Sequence, residues 1–146
     1  MLRAPVNKII PQSSVDGPGN RTAIFFQGCN FSCHYCHNPE TIHLCQNCGT
    51  CVADCPVGAL QRDAAGAVCW DPALCVGCDT CIKVCPHLSS PKVRLLTVEE
   101  VLAEIEKGVP FIRGITVSGG ECTLYRDFVV SLFERFHALG LTALLD

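Results

Sequence analysis

Apolar positions along this chain fall into two periodicities. Thr22-Ala23-Ile24-Phe25-Phe26 is a continuous apolar run, and Ile115-Thr116-Val117 and Leu141-Thr142-Ala143-Leu144-Leu145 are two more. Such runs fit parallel strands buried on both faces. Between them the spacing turns helical. Val98, Val101, Leu102 and Ile105 recur behind the capping box Thr97-Val98-Glu99-Glu100, and Gly108 with Pro110 marks the stop. Phe128, Val129, Leu132, Phe133 and Phe136 define a second helix over about 126–138, closed by Gly140. Strand, helix, strand, helix, strand is a crossover series whose sheet should be parallel. Three strands close no barrel and the last would be an exposed apolar edge, so the front half of something longer is expected. Residues 1–21 carry mostly turn and loop signals, among them Asp16-Gly17-Pro18-Gly19-Asn20-Arg21.

The pattern breaks after Thr41. Cys45-x2-Cys48-x2-Cys51-x3-Cys55-Pro56 recurs as Cys75-x2-Cys78-x2-Cys81-x3-Cys85-Pro86. This internal repeat has the bacterial ferredoxin spacing, in which the fourth cysteine of each run serves the other run's cluster. One [4Fe–4S] cluster would take Cys45, Cys48, Cys51 and Cys85, and the other Cys75, Cys78, Cys81 and Cys55. Paired zinc ribbons give no reason for the third and fourth cysteines or for the trailing prolines. Gly66-Ala67-Val68-Cys69-Trp70-Asp71, between the runs, reads as a small hairpin.

Composition narrows the setting. Thirteen cysteines in 146 residues mean a disulfide scaffold or metal sites. The N-terminus lacks the apolar core of a signal peptide and no stretch could span a membrane, so a reducing cytoplasm is the default. There clustered cysteines mean metal or catalysis. Net charge is −3 with no basic stripe, which argues against nucleic acid.

The remaining motif is Cys29-Asn30-Phe31-Ser32-Cys33-His34-Tyr35-Cys36, delivered by the first apolar run through Gln27-Gly28. That places it at the carboxyl end of a strand, where α/β folds bind ligands. Three thiolates hold a [4Fe–4S] cluster by three corners and leave one iron open, as a catalytic metal site keeps an open position. A zinc loop or a redox pair would use the same thiols. With Tyr35 before the last cysteine, the stretch resembles the cluster loop of the radical S-adenosylmethionine (SAM) enzymes.

Within that superfamily the chain resembles the glycyl radical enzyme activating enzymes. The resemblance rests on Asp16-Gly17-Pro18-Gly19-x-Arg21, Gln27-Gly28-Cys29, the loop through Tyr35-Cys36-His37-Asn38-Pro39-Glu40, the two-cluster insert and Ser118-Gly119-Gly120-Glu121. The wording around Gly114-Ile115-Thr116-Val117 resembles the branch labelled YjjW. The implied fold is α/β: a partial radical SAM (β/α) barrel, its first three strands, interrupted by a small α+β ferredoxin-type insert. Residues 1–41 would begin the core, 42–90 form the insert and 91–146 continue the core.

The resemblance implies that Cys29, Cys33 and Cys36 bind the catalytic cluster. It implies that Gly119, Gly120 and Glu121 face the SAM amino group, and that Tyr35 sits over the adenine. Asp146 aligns with an aspartate that helps hold a cation near SAM in relatives. Asp16 and Arg21 either shape the entry for a partner's glycine loop or form a structural turn. Cys122 and Tyr125 depart from the family pattern. Cys69 and Cys122 are read as inert packing thiols, and His34 and His37 as loop residues beside the cluster.

The implied activity is reductive SAM cleavage and hydrogen abstraction from a backbone glycine of a partner glycyl radical enzyme. Flavodoxin or ferredoxin would supply the electron, and a monomer is expected. The rivals are a two-cluster ferredoxin-like electron-transfer module and a radical SAM enzyme acting on a small molecule.

Overall fold

The structure is a computed structural model and describes residues 2–146. Seven strands and four α-helices succeed one another as β1 (Arg3–Ser13), β2 (Arg21–Phe26), α1 (Thr50–Ala53), β3 (Leu60–Arg62), β4 (Val68–Trp70), α2 (Thr80–Lys83), β5 (Arg94–Thr97), α3 (Val98–Ile105), β6 (Gly114–Gly119), α4 (Arg126–Ala138) and β7 (Thr142–Leu145). The main sheet has the order β5-β1-β2-β6-β7, and β3 and β4 form a separate pair.

The crossover series is present. β2 pairs parallel with β6, and β6 parallel with β7. The amino-terminal stretch, however, is not a loop. Arg3–Ser13 forms an eleven-residue strand inside the sheet, antiparallel to β2 on one side and to β5 on the other. The sheet is therefore mixed rather than parallel throughout. Proline is uncommon in a central strand because it lacks a donor, and Pro5 and Pro11 hid this one. β5 pairs only with Arg3 through Val6, so Pro11 lies where β1 has β2 alone as partner. Register shifts at Val6/Lys8 and Ile10/Ser13 absorb the irregularity.

Alternation along the strands divides the sheet into two faces. Ala4 and Val6 of β1, Ile24 and Phe26 of β2, and Ile115 and Val117 of β6 are buried against Val98, Val101 and Ile105 of α3 and Phe128, Leu132 and Phe136 of α4. Each such side chain contributes about 1.5–3 kcal/mol by leaving water. Thr97 caps α3 through the reciprocal pair with Glu100, so the anticipated capping box is real. The backbone N–H of Thr97 also holds the Glu100 carboxyl below its usual range.

The opposite face is covered by the loop after β1. Thr116 donates to the carbonyl of Asp16, and Arg21, only 1% exposed, spreads its guanidinium over Thr116 Oγ1, Ile115 O and Thr142 at 2.6–3.2 Å. Burial and the neighbouring Arg113 lower its pKa. Arg21 is thus a structural tie across β2, β6 and β7, not an entry residue.

Gln27 ends β2 and organises the chain on either side of the cysteine-rich segment. It is fully buried, and its Nε2 donates to the carbonyls of Glu40 and His43, both at 2.7 Å, while its Oε1 accepts from Asn7. His43 and Ser89 form a parallel bridge, reinforced by Ser89 Oγ donating to His43 O. The cysteine-rich segment therefore leaves and rejoins the sheet at one neck.

Candidate functional site

The loop after β2 is pinned on both sides by backbone hydrogen bonds. Gly28 N donates to Thr41 O at 2.7 Å and Cys29 N to Ile42 O at 2.9 Å. From the other side Gly120 N reaches Phe26 O at 2.8 Å and Glu121 N reaches Gly28 O at 2.7 Å. The end of β6 is thereby locked to the loop that starts the three-cysteine motif. A Cβ at Gly120 would lie 2.1 Å from the Gly28 carbonyl oxygen, so glycine is needed for this approach. The sequence suggested ligand access as the reason for these glycines. Backbone packing is the reason visible here.

The result is a cleft of about 500 Å³ at the carboxyl ends of β2 and β6, a volume usual for small-ligand sites. It is lined by Cys29, Cys33, Tyr35 and Cys36 together with Gly119, Gly120 and Glu121, and also by Asp16, His37 and Asp146. Tyr35 is 84% exposed. Glu121 spends Oε1 on Thr123, whose N–H and hydroxyl both donate to it. Ser118 reaches Asp146 at 3.5 Å. Tyr125, a departure from the family pattern, stacks on Phe26 and donates to Gln27 O at 2.6 Å, supporting the loop from below. A larger groove, about 700 Å³, between α3 and α4 holds none of these residues.

All thirteen cysteines are unpaired, which excludes the disulfide scaffold from this structure. In the repeat, Cys55 lines one pocket together with Cys75, Cys78 and Cys81, walled by Pro56, Leu60 and Trp70. Cys51 is buried, and its pKa rises to about 11 through burial, then through Cys81, Cys45 and Cys48 nearby. Cys81 is also raised by burial, partly offset by Lys92. Cys48 and Cys78 are lowered by hydrogen bonds from Thr50 and Thr80, and Cys55 by the N–H groups of Val57 and Ala59. The hydrogen bonds at Cys48, Cys55 and Cys78 favour sulfur carrying negative charge, whereas burial at Cys51 and Cys81 opposes it. The indole N–H of Trp70 is buried and has no partner among the described residues. It belongs to the pocket that holds Cys55, Cys75, Cys78 and Cys81, so a sulfur-rich group there would supply an acceptor.

The expected hairpin exists, with Leu60 opposite Trp70 and Arg62 opposite Val68. The two spare thiols differ. Cys122 is 1% exposed and packs in the core, as anticipated. Cys69 faces solvent and is not a packing thiol. Gln27 and Tyr125 are the site residues whose part sequence reasoning missed. A polar side chain ending an apolar strand was the available signal for Gln27.

The chain is 33% identical over 142 residues to a protein described as a putative glycyl-radical enzyme activating enzyme from Haemophilus influenzae, covering 97% of this chain and 37% of that one. It is 35% identical to the benzylsuccinate synthase activating enzyme of Thauera aromatica, covering 90% and 45%. The chain thus spans less than half of either relative. The crystal structure of QueE from Escherichia coli superposes with a TM-score of 0.58 at 14% identity, over 98% of this chain and 52% of that one, a likeness of fold. No helix among the described residues is long and apolar enough to cross a membrane. Residues 23–139 match the model of the radical SAM superfamily, and the chain belongs to that family.

Proposed function

We propose that this chain is the amino-terminal part of a glycyl radical enzyme activating enzyme, with Cys29, Cys33 and Cys36 holding a [4Fe–4S] cluster that binds SAM. One observation carries the reading. The three thiols share a single cleft with Gly119, Gly120 and Glu121, which lie more than eighty residues away in sequence. Bound there, the cluster and SAM would supply reductive radical chemistry directed at a backbone glycine of a partner enzyme.

The chain's own residues position that chemistry. The backbone bonds of Gly28, Cys29, Gly120 and Glu121 hold the loop against β6. Glu121 retains Oε2 for an ammonium, and the exposed ring of Tyr35 is free to cover an adenine. In this reading residues 42–90 are a ferredoxin-type insert carrying two further [4Fe–4S] clusters, between residues 1–41 and 91–146 of the core. The shared pocket of Cys55 with Cys75, Cys78 and Cys81 supports crosswise ligation, leaving Cys85 for Cys45, Cys48 and Cys51. A flavodoxin or ferredoxin would deliver electrons to this monomeric cytoplasmic protein.

The test is anaerobic reconstitution with iron and sulfide. About twelve irons per chain corresponds to three clusters, and SAM should then perturb the spectrum of one of them. With dithionite, a version extended to the length of its relatives should release 5′-deoxyadenosine. The rival reading, a two-cluster electron-transfer module, is favoured by the pocket that Cys55, Cys75, Cys78 and Cys81 share, lined mostly by residues of the insert. It requires about eight irons and no response to SAM.

A further inference from the structure

Trp70 is the chain's single tryptophan, and its indole N–H is buried without a partner among the described residues. Indole nitrogen is a donor only, and leaving a buried donor unpaired is costly. The ring borders two cavities. One, about 480 Å³, lies at the seam between the sheet and the cysteine repeat, with Asn7, Lys8 and Glu40 in its lining. An N–H aimed into that cavity would meet water and would not be buried. The other is the pocket of Cys55, Cys75, Cys78 and Cys81. The buried nitrogen therefore belongs to the sulfur side of the ring.

A backbone donor of the same hairpin already serves these thiols. Ala59 N donates to Cys55 Sγ at 3.3 Å. The hairpin fixes the two donors relative to each other, since Leu60 pairs with Trp70 and Asp71 N donates to Ala59 O at 2.8 Å. β3, β4 and their flanks thus bring two N–H groups to one set of cysteines. One rests on sulfur, and the other has no acceptor of its own within the chain.

Resting on the two-cluster reading above, we infer that the Trp70 indole N–H donates to a sulfur of the Cys55-Cys75-Cys78-Cys81 cluster and raises that cluster's reduction potential. Hydrogen bonds to the sulfurs are among the determinants of such potentials. Reduction adds one negative charge to the cluster, and a donor bonds a more negative acceptor more strongly. The proton stays on nitrogen, so the bond stabilises the added electron without any covalent step. The effect is confined to one half of the repeat, because no second indole exists to serve Cys45, Cys48, Cys51 and Cys85.

Other groups at the pocket also bear on the potential. Pro56 and Leu60 wall it and disfavour added charge, as does the apolar surface of the indole itself. Lys92 and Asp79 border it as an ion pair. Removing the N–H while keeping the ring leaves all of these in place and isolates the hydrogen bond.

The experiment is an EPR-monitored potentiometric titration of the anaerobically reconstituted chain, with iron and sulfide counted in each sample. Benzothienylalanine in place of Trp70, a ring of the same shape with sulfur where the N–H was, should lower one reduction step and leave the others. Trp70→Phe should lower the same step. Tryptophan labelled isotopically at the indole nitrogen reaches Trp70 alone. Pulsed ENDOR of the cluster responsible for that step should then show coupling to the labelled nitrogen and to an exchangeable proton. With full iron, benzothienylalanine that moves no step, or moves all equally, overturns the hydrogen bond and leaves the cluster count standing, as does the absence of both couplings. A step moved by Trp70→Phe and not by benzothienylalanine gives Trp70 a packing role and overturns the inference too. Fewer than about eight irons per chain in the wild type overturns the two-cluster reading, and this inference with it.

Discussion

The side-chain amide of Gln27 donates a 2.7 Å hydrogen bond to the carbonyl of His43, two residues before the first cysteine of the repeat. One buried amide thereby ties the end of a core strand to the neck of the cysteine-rich segment. Gln27→Leu removes the donor and leaves the Glu40 and His43 carbonyls without it, at a cost of about 1–3 kcal/mol. Gln27→Glu should cost more, since a carboxylate would face two carbonyl oxygens. Urea unfolding measures the loss. Iron analysis should find the Cys29-Cys33-Cys36 site emptied before the repeat.

Gly120→Ala is expected to damage the site more than the sheet. The added methyl meets backbone, the Gly28 carbonyl oxygen, with no flexible side chain to yield. Overpacking of this kind costs about 1–3 kcal/mol. The hydrogen bond from Glu121 N to Gly28 should open with it. SAM affinity, read from spectral titration of the reconstituted protein, should fall while far-UV circular dichroism stays near wild type.

Tyr35→Ala separates binding from folding. The ring is mostly exposed and makes no hydrogen bond among the described residues, so stability should change by less than about 0.5 kcal/mol. An aromatic contact with adenine is worth about 0.5–1.5 kcal/mol, so SAM binding should weaken roughly two- to thirteenfold. An unchanged affinity would remove Tyr35 from the SAM site.

Cys69 and Cys122 should be distinguished by alkylation. Burial and Glu121 push the Cys122 thiol up to about 11, so at pH 8 about one molecule in a thousand carries the thiolate. In the cluster-loaded protein, iodoacetamide at that pH should label Cys69 and spare Cys122, as peptide mass spectrometry can verify. The raised pKa also has a stability consequence. The folded state keeps a proton that the unfolded state has lost above its ordinary 9.0. The contribution is therefore whole below pH 9 and declines as pH rises towards 11.

Much of this architecture could be read along the chain where local signals and burial agree. Thr97 and Glu100 announce their capping box by type and spacing, and the apolar periods of α3, α4, β2 and β6 match their buried faces. β1 was not readable, because its strand character comes from partners on both sides while Pro5, Asn7 and Pro11 argue locally for loop. The cysteine spacings announced the site, yet the reason Gly120 is glycine required the Gly28 carbonyl opposite it. For Arg21 an entry residue and a structural turn were both open, and it is a buried tie. Long-range hydrogen bonds of that kind leave no local trace.

The bridge between His43 and Ser89 has one more implication. Neighbouring strands sit about 4.8 Å apart, so the two ends of the intervening excursion emerge almost side by side. Because the two ends run parallel, no brief turn can rejoin them: a version lacking the excursion needs a crossover of about a dozen residues between His43 and Ser89. The excursion is thus open to exchange for another segment of the same reach, while simple deletion would pull the neck apart.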